Sequence, residues 1–454
     1  MPDRSPRTLK AGRLSFFDIL GHTLANITPS AMATVTISLV VANGGLLTWA
    51  VYLAVGVLML GVASQVAVLS RRVPSAGSLF VSVGTTLHPL AGLLSGWAMT
   101  GGYLGALLAA PVVGGLFCAK ALGILGWTVP WAPVAVLFTL FAWTLTVRDA
   151  VVAVRYSLYV ELLSLGAIVL VAIITLVRHG LVDPAQWYAH VSPASFFAAM
   201  TLSVLAYGGF ETAANLGREA RQPVRDVPWA IAASVLVSLA FYLLMSYSEV
   251  LGFGNHVALL ARTPAPLSLL AVRERLPWLA LVSDMAMAVA AFSAAIATMN
   301  SLSRLLYSMA HHGAVPSAFG AVNAHRTPAP ALHVLGVCML AFAAAAAVMH
   351  WHVLSIIDLF GVFTALGFIV IYVLAVVAVM ADHIRAGYRL PRLSWLLSVT
   401  IVPLLLYVFW QSFQATGGAA VAAWTFVLYL LGGVGFYLQR GKRSLAFSHV
   451  RTDD

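Results

Sequence analysis

Twelve stretches of this chain are apolar for about twenty residues each, the length a helix needs to cross about 30 Å of hydrocarbon. They run over 16–43, 46–70, 91–120, 131–147, 156–177 and 195–215, then over 228–252, 278–309, 330–350, 354–381, 394–413 and 420–438. Inside a bilayer every backbone N–H and C=O must be satisfied by the protein itself, so the pattern predicts an all-α polytopic membrane protein with twelve transmembrane helices. Composition agrees, since 61% of the 454 residues are hydrophobic and 9% are charged, with a mean hydropathy of +0.94. A soluble domain carries about 25% charged residues and could not be covered with so few. The first apolar stretch starts at Phe16 and runs past Val41. It is too long for the core of a cleavable signal peptide.

A net charge of +10 and a pI near 9.9 raise the question of a nucleic-acid partner, which the placement of the charges answers in the negative. Twenty of the 25 Lys and Arg residues lie on the N-terminal side of the twelve spans, and Lys120, Arg178, Arg262, Arg273 and Arg275 make up the other side. By the positive-inside rule the N-tail, 1–15, and the C-tail, 439–454, are both predicted to be cytoplasmic, in a protein of the cytoplasmic membrane. Cys118 and Cys338 lie far apart in apolar sequence and build neither a disulfide framework nor a metal site. His350 and His352 flank Trp351 with no third ligand nearby, so no metal is expected there either.

Two of the spans are interrupted where a helix should be continuous. Span one carries Asn26-Ile27-Thr28-Pro29-Ser30-Ala31-Met32, and span six carries Tyr207-Gly208-Gly209-Phe210-Glu211. Irregular backbone at membrane depth is tolerated where it lines a cavity, so both breaks are candidate binding points. Four spans separate them. Two five-helix repeats, 16–177 and 195–381, would place the breaks at matching positions. Because each repeat holds an odd number of spans, the two must insert in opposite orientations, leaving 394–438 as two peripheral C-terminal helices.

Several segments also carry a family resemblance. They are Val73-Pro74-Ser75-Ala76-Gly77-Ser78 after span two and Leu93-Leu94-Ser95-Gly96-Trp97 in span three. The third runs from Tyr207 through Thr212-Ala213-Ala214-Asn215, then Glu219-Ala220-Arg221-Gln222-Pro223 and Val227-Pro228-Trp229-Ala230-Ile231. The fourth is Ser303-Arg304-Leu305-Leu306-Tyr307-Ser308-Met309-Ala310, followed by Gly313, Pro316 and Thr327-Pro328. In this order, over nearly the whole chain, they resemble the amino acid, polyamine and organocation transporter superfamily, of the amino acid permease type. The resemblance implies a LeuT-like fold with discontinuous helices one and six. It also implies secondary active transport of amino acids or related amines by alternating access, through proton-coupled symport or exchange, with no cofactor. An antiporter of polyamines or organic amines, and a sensor or channel on the same scaffold, stay open as alternatives.

The chain departs from the family at three places. The glycine-rich motif usual in the first span is replaced by Pro29-Ser30-Ala31-Met32. Span five has Glu161 in the region where some proton-coupled relatives carry a lysine, and the Arg-Asp pair common after span eight is replaced by His311-His312.

The residues themselves outline the site. The half-helix after the first break should aim free N–H groups at the membrane centre near Ser30 to Ala33, and the half-helix before the second should end in free carbonyls near Leu205 to Tyr207. A zwitterion satisfies both ends. No Lys or Arg lies in the middle of a predicted span, so the backbone must supply the partner of a substrate carboxylate. The expected substrate-binding residues are Thr28, Ser30, Ala31, Met32, Leu205, Gly208 and Gly209, with Tyr103, Tyr207 and Phe210 as aromatic walls. For proton or ion coupling the candidates are Glu211 beside the second break, and Glu161 with Ser293 or Thr298. Asp18 and His22, at i and i+4, form a further candidate pair near the cytoplasmic mouth. No His-Glu-x-x-His, Gly-x-Ser-x-Gly or phosphate-cradling loop is present, so an enzyme is not expected.

Overall fold

The computed structural model describes residues 12–72, 78–148, 150–217, 219–323, 327–386, 392–414 and 417–440. Most of both expected tails and the Val73–Gly77 motif lie outside the described residues. The chain begins with α1 (Phe16–Ile27), α2 (Pro29–Gly44), α3 (Thr48–Arg72), α4 (Ser78–Thr86) and α5 (Pro89–Ile124). It continues with α6 (Trp131–Arg148), α7 (Ala150–His179), α8 (Pro184–Trp187), α9 (Pro193–Tyr207) and α10 (Thr212–Asn215). Then follow α11 (Pro223–Gly252), α12 (Val257–Ala261), α13 (Pro266–Arg273) and α14 (Pro277–His311). The last four are α15 (Ala329–Val348), α16 (Val353–Ala386), α17 (Arg392–Gln411) and α18 (Gly418–Arg440). No strand is found among the described residues; the one β-type contact is a bridge between Leu14 and Ala220.

Proline stands in the first turn of α2, α5, α9, α11, α13 and α14, where its missing N–H would have had no helical partner. Inside the helices, hydroxyl side chains turn back on their own backbone, as Thr23 does to Ile19 O, Thr139 to Ala135 O and Ser203 to Ala199 O. Such bonds satisfy a polar group where there is no water to do it. Large apolar side chains such as Leu163, Val177 and Leu428 point outward. An outer surface of this kind needs lipid as its solvent.

Ten helical stretches among the described residues are long and apolar enough to cross a membrane. This count differs from twelve because Phe16–Arg71 runs the first two expected spans together over 56 residues, and Trp395–Gln411 is a shorter apolar helix. At the centre of the bundle α5 packs against α14 and α16, α14 against α7, and α11 against α3, while α17 and α18 lie against α16 from outside.

On the side where the chain begins, the bundle is drawn together by polar ties. Arg13 and Leu14 donate backbone N–H groups to Glu219 O, and Arg221 N–H returns to Leu14 O. Arg304 of α14 meets the Glu219 carboxylate through Nε at 2.8 Å and Nη2 at 3.4 Å, with both side chains buried. On the opposite side, Arg178 Nη1 lies 2.9 Å and His179 Nε2 2.6 Å from the Glu274 carboxylate, tying the end of α7 to the connection before α14. Partial burial raises the Glu274 carboxyl, but hydrogen bonds and charge from His179 and Arg178 outweigh it and hold the group below its usual value of 4.5.

Removing one partner of a buried pair strands the other charge, so Glu219→Gln should lower stability by about 3 kcal/mol, read as a fall in the thermal midpoint of the purified protein. A carboxyl held below its usual value stabilises the fold above pH 4.5 and loses that contribution as pH falls through the lowered value. The difference in midpoint between wild type and Glu274→Gln should therefore be present at neutral pH and vanish in acid.

Candidate functional site at the helix breaks

Thr28 separates α1 from α2 in the left-handed conformation, φ 49° and ψ 61°, which costs a non-glycine residue about 1 kcal/mol or more. Its N–H donates to Leu24 O at 2.7 Å and its hydroxyl to Ala25 O at 2.7 Å, so the end of α1 is closed on itself. Pro29 then restarts the chain as α2. The second break follows Tyr207. Gly208 is extended, φ −58° and ψ 140°, and Gly209 has φ +113°, a conformation side chains avoid.

The two breaks touch backbone to backbone. A Cβ on Gly209 would stand 3.1 Å from Asn26 C and Ile27 N, and one on Gly208 would stand 2.2 Å from the Phe368 ring. Glycine is thus required here both for the dihedral angle and for the approach. Gly209→Ala should cost about 1–3 kcal/mol and impair function with it, whereas Gly123→Ala on α5, where a Cβ meets nothing within 4 Å, should change the thermal midpoint little.

Glu211 fixes the geometry of the second break. Its Oε1 accepts from the Tyr103 hydroxyl at 2.7 Å, and its Oε2 accepts from the Tyr372 hydroxyl at 2.8 Å and from Gly209 N–H at 3.2 Å. One carboxyl group therefore joins α5, α16 and the break. Phe210 stacks on Tyr372 with ring centroids 4.9 Å apart, and Tyr103 meets Phe368 edge-on at 5.8 Å. Tyr207 donates to Tyr52 O at 2.9 Å, and Tyr242 donates to Ala206 O at 2.5 Å.

A cavity of about 80 Å³, open in part to solvent, begins at the breaks. It runs along Thr28, Ala31, Met32 and Val35, the small residues Gly105, Ala106 and Ala109 of α5, and Ile357 and Phe360 of α16. Ala291, Ala294 and Thr298 of α14 and Leu205 complete much of the wall. It therefore lies beyond the breaks on the side away from Leu14 and Glu219. On that nearer side the path is filled, with Asn26 Nδ2 donating to Ser301 Oγ at 2.9 Å and His22 Nε2 at 3.2 Å from the same hydroxyl.

Of the residues expected at the site, Thr28, Ala31, Met32 and Leu205 line this cavity. Ser30 lies just behind it, with its N–H and hydroxyl engaged by Glu161 Oε1 at 3.2 and 2.8 Å. Tyr103, Tyr207 and Phe210 are buried in the packing around the breaks. The carbonyls expected to be free are occupied in part: Leu205 O accepts from Gly208 N–H, and Ala206 O accepts from Tyr242. Asp18 closes a capping box with Ser15, while His22 faces Ser301, because the first turn of α1 has its own N–H groups to satisfy. Ser293 is buried on α14, and Thr298 donates to Asn26 Oδ1 at 3.4 Å. His311 and His312 each place Nδ1 on the carbonyl four residues back in α14.

Sequence reasoning missed Tyr372 and most of the cavity wall. Nothing near Tyr372 marks it as the partner of a glutamate 161 residues away. A signal did exist for the wall in the small residues at i and i+4 on α5, Gly105 with Ala109 and Ala106 with Ala110.

Two helices broken at one depth, meeting each other and opening on a cavity within an apolar bundle, define a helical integral membrane protein with its candidate site at the breaks. The chain belongs to the amino acid permease family, whose model matches residues 14–436. It is 29% identical to an uncharacterized transporter of Mycobacterium tuberculosis, over 61% of this chain and 61% of that one. To a branched-chain amino acid permease of Bacillus subtilis it is 25% identical, over 57% of this chain and 59% of the relative. These matches span less than two thirds of the relatives' length. Among solved structures, a manganese transporter of Eremococcus coleocola superposes with a TM-score of 0.59 at 12% identity, covering 93% of this chain and 94% of that one. That likeness concerns the fold, and the fold is the five-plus-five LeuT-like one.

Proposed function

We propose that this protein is a secondary transporter of amino acids with small or aliphatic side chains, held in the cavity between the broken helices. The observation that carries the reading is the lining: alanine, glycine, valine, leucine, isoleucine, methionine and phenylalanine, with Asn26, Thr28, Thr298 and Thr364 as its uncharged polar members. No charged side chain is among the described lining residues. An α-carboxylate and an α-ammonium can use the helix-end dipoles at the breaks, and the side chain then meets apolar wall. A polyamine would bring further ammonium groups with no partner there, at a cost of several kcal/mol for each. The branched-chain permease among the relatives points in the same direction.

In this reading Thr28, Ala31, Met32 and Leu205 contact the substrate, and Gly208, Gly209, Phe210, Tyr103 and Tyr207 hold the second break in shape. Glu211, clamped by two tyrosine hydroxyls, is a positioning residue, and transport proceeds by proton symport or exchange. Both termini are cytoplasmic, so the cavity faces outward. The repeats 16–177 and 195–381 do the work of alternating access, with 394–438 at the periphery.

Counterflow of labelled leucine in proteoliposomes tests the proposal. It should saturate, and valine, isoleucine and alanine should compete where putrescine does not. Flux linear in leucine and indifferent to unlabelled amino acids would overturn it. Ala294→Phe, which fills the cavity, should reduce leucine counterflow at least tenfold, with the folded protein recovered in normal yield.

A further inference from the structure

Pro29 has no N–H, so Ser30 is the first residue of α2 able to offer one, and both its N–H and its hydroxyl go to Glu161 Oε1. Glu161 reaches this point from α7. Its side chain is fully buried, and Oε2 has no hydrogen-bond partner among the described residues. A carboxyl group of the protein itself therefore occupies the helix end that would attract an anion. The cavity wall passes directly beside it, through Thr28, Ala31 and Met32. Met32 N–H is already bonded to Thr28 O, which leaves Ala31 as the first-turn residue next to Ser30 on that wall.

A substrate carboxylate drawn to the start of α2 thus arrives beside Glu161. Two ionised carboxylates at neighbouring amides of one helical turn repel strongly where water is excluded, and such a pair keeps a proton on one member. We propose that Glu161 sets the proton linkage of substrate binding: a carboxylate-bearing substrate occupies the start of α2 only with Glu161 protonated, so each substrate molecule is bound with one proton. The inference rests on reading the cavity as an amino acid site. The proton comes from solvent, and the zwitterion adds no net charge, so the occupied site gains one positive charge overall. Once neutral, Glu161 no longer competes as an anion for Ser30 N–H. Its own O–H becomes a donor toward the incoming carboxylate or the Ser30 hydroxyl. When substrate leaves, the ionised Glu161 carboxylate returns to Ser30 and the proton is free to go.

The helices packed against α7 are α1, α2, α6, α11, α13 and α14. On α1, Asp18 caps Ser15 and His22 meets Ser301; α2 has no titratable side chain. Arg148 ends α6, and Arg273 of α13 lies over the Phe253 ring. On α14, Asp284 accepts from Ser268, Arg304 is paired with Glu219, and His311 bonds Tyr307 O. From α11, Tyr242 lies within electrostatic reach of Glu161. Seven residues further along the same helix, Glu249 is buried with no partner for either oxygen among the described residues. Glu249 is the competing carboxyl, and neither of its oxygens bonds Ser30, whose N–H and hydroxyl both go to Glu161.

The test is calorimetric binding of leucine to the purified protein across the pH range, with proton exchange read in weakly buffered solution. Wild type should bind leucine about tenfold more weakly for each pH unit above the Glu161 titration and take up close to one proton per leucine. Glu161→Gln should bind with an affinity independent of pH and without proton uptake, and Glu249→Gln should behave as wild type. A pH dependence that survives in Glu161→Gln, or that disappears in Glu249→Gln, overturns the proposal. Should Glu161→Gln not fold, wild-type protein decides alone, since leucine bound without proton uptake at every pH, including the alkaline end of the range, is incompatible with it. Failure of leucine, valine and alanine to bind at any pH would overturn the amino acid reading itself, a result distinct from binding without linkage.

Discussion

A backbone polar group in hydrocarbon has no water to turn to, and the rest of this molecule is arranged around that constraint. Most spans run unbroken among the described residues; the two exceptions are α1–α2 and α9–α10, where the chain leaves helical geometry at buried positions. Each freed group there must find another partner or face a cavity. Thr28 closes the end of α1 with its own N–H and hydroxyl, and Tyr242 reaches across from α11 to Ala206 O.

Carboxyl groups do the remaining work, in two ways. Glu211 turns its oxygens toward three donors and converts a flexible glycine pair into a defined bend supported by α5 and α16. Glu161 instead accepts from one residue, through one oxygen, and leaves the other without a partner. The first arrangement resembles a structural clamp. The second is less completely satisfied, and a less satisfied group is easier to displace. The asymmetry of the whole bundle has the same character, with Arg304, Glu219 and the Leu14–Ala220 bridge closing one side while the wall of small residues leaves the other open.

The places where local reading and structure part company share a cause. Asp18 and His22 stand one turn apart on α1, which suggested a pair, yet the free N–H groups at a helix start claim Asp18 and the Ser301 hydroxyl claims His22. Tyr103, Tyr207 and Phe210 are aromatic and sit near the breaks, which suggested cavity walls. Their hydroxyls and rings are spent on holding the break instead. Spacing along one helix reports which residues share a face. It does not report what another helix, more than a hundred residues away, brings to that face.

The amino-acid sequence by itself determined that this chain is a bundle of apolar helices, and where two of them must break. Hydrophobic length, proline and paired glycines act locally and so can be read locally. Only the tertiary structure decided what fills the breaks. Glu161 reaches Ser30 across 131 residues of chain and Tyr372 reaches Glu211 across 161. Such contacts depend on how helices pack side by side, and helices that are apolar on every face carry little in their own pattern to say which neighbour they will meet.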